Sequence, residues 1–173
     1  MTMKNKLIII RGVACSGKTT IAEKLRKYFP KEKTAIIHTN MFYHGIVDGD
    51  KNNEVVIENA RRIADNYLKN NYTVILEGTL SYKDKNGKLY LNKFISLGRK
   101  YKVKTIQLFF TTNFKELQIR ETKRNRLSIK ELKEFYNRAI NTKKSNEITI
   151  DTTNKSIEKV LIEVNKNIKN VQQ

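Results

Sequence analysis

Residues 8–25 read IIIRGVACSGKTTIAEKL: an apolar run, a loop bounded by two glycines, then a helical pattern. Leu7 to Ile10 is apolar at every position. A strand that faces water on one side would alternate, so this one is buried on both faces, as in a parallel sheet covered by helices. Gly12 to Lys18 ends the run too soon for a signal peptide, and no other stretch is long enough to span a membrane.

The rest of the chain alternates in the same way. A helical pattern over Thr19–Tyr28 ends near Pro30, and Thr34–His38 is a second β-branched apolar run. Residues 40–53, with Gly45 and Gly49, read as irregular. Apolar residues at Val55, Val56, Ile57, Ala60, Ile63, Ala64, Tyr67 and Leu68 have the helical period and predict a helix over 54–69. Thr73–Leu76 is a third strand. Ser81–Lys88 is a polar loop, Leu89–Arg99 a helix and Val103–Phe110 a fourth strand. The charged region Asn113–Lys144 is helical with a break near Asn125–Ser128. A short fifth strand at Glu147–Ile150 precedes an amphipathic helix over Ser156–Ile168. Strands alternating with helices predict an α/β fold, a parallel sheet with helices on both faces. The 173 residues suit one domain, 1–173, and show no internal repeat and no Pro- or Ser-rich linker. In such a sheet ligands sit at the carboxyl ends of the strands, here Gly12–Thr20, Thr39–His44 and Glu77–Ser81.

The first of these segments, Gly12-Val13-Ala14-Cys15-Ser16-Gly17-Lys18-Thr19, matches G-x-x-x-x-G-K-[ST] between a strand and a helix. The glycines let backbone N–H groups turn inward around phosphate oxygens. Lys18 brings a full positive charge to the β- and γ-phosphates, and the Thr19 hydroxyl is a Mg²⁺ ligand. The helix beginning at Lys18, with Thr20 in its first turn, points its positive dipole end at the anion. Cys15 occupies a variable position and reads as small filler. ATP with Mg²⁺ is therefore the expected ligand of Gly12–Thr20. A GTPase would carry D-x-x-G after the third strand, where this chain has LEGTL. Asn154-Lys155-Ser156-Ile157 lacks the Asp that reads guanine. Motor ATPases are usually larger, which leaves a small single-domain kinase.

IIHTNMFYH after the second strand, VILEGTL at the third and the Arg-rich hairpin IRETKRNRLSIKELKEFY resemble one group of P-loop kinases. The group holds zeta-toxin-like kinases, polynucleotide 5′-kinases and small-molecule phosphotransferases. The resemblance covers most of the chain. It implies a five-stranded parallel sheet in the order 2-3-1-4-5, flanked by helices, with a helical lid over roughly residues 113–130. EGTL is most similar to the zeta-toxin branch, where that strand end contacts the acceptor, although Ser81 stands where an Arg usually follows. The spacing of Arg120 and Arg124 before Leu127 resembles the lid of the polynucleotide kinases.

In these families an Asp follows the second strand and orients or deprotonates the acceptor hydroxyl. The matching position here is Asn40, whose neutral amide cannot take a proton at physiological pH. The base then lies at Asp48, Asp50 or Glu77, or positioning by Asn40 suffices, or the protein only binds. Glu77 ends a strand beside the first and is expected to hold a Mg²⁺ water or the acceptor. Arg120 and Arg124 share a helix face and, with Arg126, are expected to clamp the γ-phosphate. His38 and His44 have no ligand spacing and read as structural or incidental. Tyr43, Tyr82 and Tyr90 read as partly buried core rather than as a stacking surface. The fifth strand runs into Asp151-Thr152-Thr153-Asn154, where this fold usually cups adenine.

Thirty-five Lys and Arg against 17 Asp and Glu give a net charge of +18, a field that concentrates anions. A Lys-, Asn- and Ile-rich code explains part of it, but such a code favours Glu as well. The leading expectation is a kinase acting on a hydroxyl of a small molecule, such as a nucleoside or nucleotide-sugar. The +18 charge keeps a polynucleotide 5′-hydroxyl kinase, with a nucleic-acid partner, as the alternative. A nucleotide-gated binding protein without turnover is the third reading. A single cysteine excludes a disulfide framework and fits a reducing cytoplasm, with no membrane partner.

Overall fold

The computed structural model describes residues 5–29, 33–44 and 53–171. Five strands, β1 (Lys6–Gly12), β2 (Thr34–His38), β3 (Thr73–Glu77), β4 (Lys104–Thr111) and β5 (Ile148–Asp151), form one parallel sheet in the order β2-β3-β1-β4-β5. The fold class and strand order expected from the sequence are those observed. The helices are α1 (Lys18–Leu25), α2 (Met41–His44), α3 (Asn53–Lys69), α4 (Leu91–Lys100), α5 (Phe114–Arg124), α6 (Ile129–Asn141) and α7 (Ile157–Asn170).

The apolar run at the start behaves as its lack of alternation requires. Leu7 and Ile9 face a core shared with α3 and α4, while Ile8 and Ile10 face one shared with α1 and α7. All four are fully buried, and each such side chain contributes about 1.5–3 kcal/mol through area removed from water. A third, smaller cluster joins Val13 and Phe109 to Leu117 of α5 and to Leu132 and Ala139 of α6. It seats the α5–α6 hairpin against the sheet.

Predicted and observed elements agree to within a few residues. The break near Asn125–Ser128 has two local causes. Asn125 ends α5 in the left-handed conformation at φ 50°, and Ser128 opens α6 with a reciprocal capping box to Glu131. The stretch read as irregular after Asn40 instead begins with the short helix α2. Four residues are too few to show a helical period.

Arg11, on β1 just before the loop, is completely buried. Its guanidinium pairs with Glu147 at 2.5 Å and donates to Ser81 Oγ at 3.0 Å and the Thr142 carbonyl at 2.6 Å. It also lies over the Phe109 ring. One side chain thus ties the central strand to the loop after β3, the end of α6 and the start of β5. The residues at Ser81 and Glu147 carry no sign of this in the sequence, because the pairing spans 136 residues.

Candidate active site

The turn after β1 is shaped by two glycines for different reasons. Gly12 sits at φ +134°, and a Cβ there would meet the Phe110 carbonyl oxygen at 2.0 Å, so only glycine fits against β4. Gly17 sits at φ +83° with open space where a Cβ would stand. Cys15 is also left-handed, at φ 57°. Left-handed residues spaced along a turn aim successive N–H groups to one side and form an anion-binding nest. Ser16 Oγ donates to the Val13 carbonyl at 2.9 Å and tightens the loop.

Lys18 is buried, and its Nζ donates to the Val13 carbonyl at 2.6 Å. Burial pulls its pKa below the ordinary lysine value, and the negative charge of Glu77 opposes that pull. Glu77 ends β3 and is 3% exposed. It faces His38 because Glu77 and His38 are register partners in β3 and β2 and so share one face of the sheet. His38 Nδ1 lies 3.0 Å from Glu77 Oε2. That hydrogen bond raises the imidazole pKa above its usual value against the effect of burial. His38, read from sequence as structural or incidental, therefore positions the buried carboxylate of the site.

The α5 arginines come to the loop, but not as a free pair. Arg120 donates to the Cys15 carbonyl at 3.3 Å, to Thr152 Oγ1 at 3.0 Å and to the Thr152 carbonyl at 2.9 Å, with Glu116 behind it. It bridges the phosphate loop to the segment after β5. Arg124 Nη1 donates to Cys15 Sγ at 2.8 Å. Between the two arginines lies Glu121, buried and absent from the sequence-based site. It accepts from Cys15 Sγ at 2.7 Å, from the Arg126 N–H at 2.7 Å and from the Leu127 N–H at 2.9 Å. Burial pushes its carboxyl up, but these bonds and the charge of Arg124 outweigh burial and hold it below the usual range. Burial and the bond to Glu121 raise the Cys15 thiol to about 11, so the thiol is the donor. Cys15 is thus the contact between loop and hairpin rather than filler. A lone acid among the arginines of RETKR was the one signal for Glu121, and nothing local distinguishes it from a solvated charge.

These parts enclose one cavity of about 780 Å³. Gly12, Ala14, Cys15, Gly17, Lys18, Thr19 and Thr20 line its phosphate end, with Arg120, Arg124 and Arg126 above. Asn40, Glu77 and Thr79 line its middle and Tyr43, Asn53, Tyr82 and Phe135 the far end, while Leu127 packs on the loop side against the cluster of Val13. Of the loop residues expected at the site, Val13 and Ser16 are buried and do not reach the cavity. Tyr43 and Tyr82 are half-buried, Tyr82 against the core as expected, and both also stand on the cavity wall, whereas Tyr90 is buried. The Tyr43 hydroxyl donates to Asn53 Oδ1 and braces α2 against α3. Asp48 and Asp50, two of the proposed bases, lie outside the described residues, and so does the side chain of His44. Among the described residues no group of three or more His, Cys, Asp or Glu could hold a metal by itself. A hydroxyl at Thr19 with the Glu77 carboxylate is a sparse oxygen set, the kind that suits Mg²⁺ held mainly by water and phosphate oxygens. No helix among the described residues is long and apolar enough to cross a membrane.

The sheet order, the loop between β1 and α1 and the hairpin above it define the P-loop kinase fold. The sequence profile of an AAA domain matches residues 7–146, and the chain belongs to that family. Solved structures show the same fold at low identity. A putative kinase from Chloroflexus aurantiacus superposes with a TM-score of 0.70 at 17% identity, over 98% of this chain and 99% of that one. A sugar kinase from Janibacter gives 0.67 at 14%, over 95% of each chain. An APS kinase from Mycobacterium tuberculosis, solved with AMPPNP and APS, gives 0.66 at 15%, over 96% of this chain and 98% of that one. No curated protein matches the chain by sequence.

Proposed function

We propose that the chain is an ATP-dependent kinase that moves the γ-phosphate to a hydroxyl of a small molecule. The observation that carries this reading is the continuity of the cavity, from the Gly12–Thr20 loop and the arginines above it to a buried carboxylate and a ring-lined end. A phosphoryl group passing from one end to the other would meet Lys18, Arg120 and Arg124 where its charge is spread. Positioning and charge stabilisation are what such a transfer requires of a protein. Held at Thr19, Mg²⁺ would supply further neutralisation of phosphate charge.

Glu77 is the acceptor-side carboxylate in this reading. It lines the cavity and is held by His38, while Asn40 beside it can orient a hydroxyl but cannot accept its proton. The α5–α6 hairpin serves as the lid, latched to the loop through Cys15, Glu121 and Arg124. The resemblance of VILEGTL to the zeta-toxin branch agrees with an acceptor near Glu77, and a cytoplasmic setting agrees with the single cysteine. The net charge of +18 supports an oligonucleotide acceptor as the second reading. A steep fall of oligonucleotide affinity with salt would favour it.

Acceptors screened with radiolabelled ATP test the assignment. On an acceptor so found, Glu77→Gln is expected to lower turnover by about 10²–10⁴-fold, the usual share of proton abstraction. Asn40→Asp is expected to change little, because Glu77 already serves. Full activity of the Glu77→Gln protein together with a gain in Asn40→Asp would transfer the role to the end of β2.

A further inference from the structure

The ring-lined end of the cavity has a charged group behind it that the transfer itself does not use. Arg138, on α6, places its guanidinium 4.3 Å from the Tyr82 ring centroid and 5.4 Å from that of Phe135. Both rings line the cavity. Phe135 and Arg138 are i and i+3, so one helix face supplies a ring of the wall and the cation that backs it. Arg138 Nη1 is buried and bonded to nothing, and the side chain has no carboxylate partner among the described residues.

Arg11 shows what a purely structural arginine looks like in the same corner. Its Nε, Nη1 and Nη2 all donate, to Glu147, Ser81 and Thr142. Both arginines meet Thr142, Arg11 through its guanidinium and Arg138 through its main-chain carbonyl, which accepts from Thr142 Oγ1 at 2.8 Å. Arg138 as a whole is half-buried, but a buried guanidinium nitrogen with unfilled donors is costly unless something supplies the acceptor. Ring stacking offsets only part of that cost.

We propose that the acceptor joins a flat ring to a negatively charged group, the ring packing on Tyr43, Tyr82 and Phe135 and the charge selected by Arg138. This rests on the kinase reading of the cavity and narrows its acceptor. Arg138 backs the rings rather than lining the space, so the Tyr82 or Phe135 side chain shifts as the anion enters, a rotamer change of the kind common on binding.

The test titrates phenyl phosphate, inorganic phosphate and benzyl alcohol into the full chain by calorimetry, with the phosphate loop filled by saturating AMPPNP and Mg²⁺. Phenyl phosphate is expected to bind at least tenfold tighter than either comparator. Arg138→Gln should lose at least tenfold of that affinity while binding AMPPNP like the parent, which also shows that it folds. If Arg138→Gln does not fold, Arg138→Lys, which keeps the charge but not the fork, is expected to lose at least threefold. Phenyl phosphate binding no tighter than inorganic phosphate overturns the proposal, as does a folded Arg138 variant that binds it like the parent. Failure of the parent to bind AMPPNP would sink the kinase reading instead, and the same comparisons made without nucleotide would still judge the anion site.

Discussion

The phosphate end of the cavity comes from one stretch of chain, Gly12–Thr20, whereas its middle and far end collect Asn40, Tyr43, Asn53, Thr79, Tyr82 and Phe135 from four separate segments. The first is held by the sheet: Gly12 lies against Phe110, and Val13 donates to the Phe110 carbonyl at 3.0 Å. The second is held by side chains, among them the Tyr43–Asn53 bond and the stack of Arg138 on Tyr82. The difference fits what each end is proposed to bind. A triphosphate presents the same oxygens to every kinase, so a backbone nest serves it. An acceptor must be told from its relatives, which calls for side chains whose identity can vary without disturbing the sheet.

Arg11 is the joint between the two ends, and removing its partner should have the largest effect. Glu147→Ala leaves a fully buried guanidinium unpaired, for an expected loss of about 3–5 kcal/mol of stability. Urea unfolding of the variant measures it. A loss below 1 kcal/mol on the order of surface pairs would mean that the two ends are independent units. Next comes Lys18→Ala, expected to lower turnover by about 10²–10³-fold and to weaken ATP binding in calorimetry. Unchanged affinity and turnover would detach the phosphate end from nucleotide altogether.

The latch between loop and hairpin can be read through Cys15. With the thiol raised to about 11 from 9.0, an upward shift means less thiolate at any given pH. At pH 8 the thiolate is about a hundredfold scarcer than in an ordinary cysteine, and alkylation slows in proportion. Iodoacetamide labelling followed by mass spectrometry should be slow and rise about tenfold per pH unit up to pH 10. It should speed up in Glu121→Gln, which removes the carboxylate that holds the proton. Labelling at the rate of a free thiol would mean that the hairpin does not rest on the loop. The smallest expected effect is that of Arg120→Ala and Arg124→Ala, each lowering turnover by about tenfold or more. Parent rates in both would reduce the pair to a solvated face.

Sheet, loop and hairpin break were legible because their causes are local. Four apolar residues in a row, the GxxxxGKT spacing and the Asn125–Ser128 stop-and-cap signal each act within about a dozen residues. Glu77 and Asn40 were legible as strand ends once the sheet was assumed. The side-chain roles that were not legible concern partners distant in sequence. His38 gained its role from the β2–β3 register, Cys15 from Glu121 lying 106 residues away, and Arg11 from Glu147. A charged residue in a lysine-rich chain looks solvated until the fold buries it, because burial and pairing are properties of the neighbours and not of the residue.

By itself the sequence determined that this chain forms a parallel sheet with a phosphate loop at its centre, since apolar continuity and glycine spacing permit little else. Only the tertiary structure decided which carboxylates are buried against which cations and which rings line the far end. Those outcomes depend on register and on helix docking, where a shift of one residue would exchange every partner.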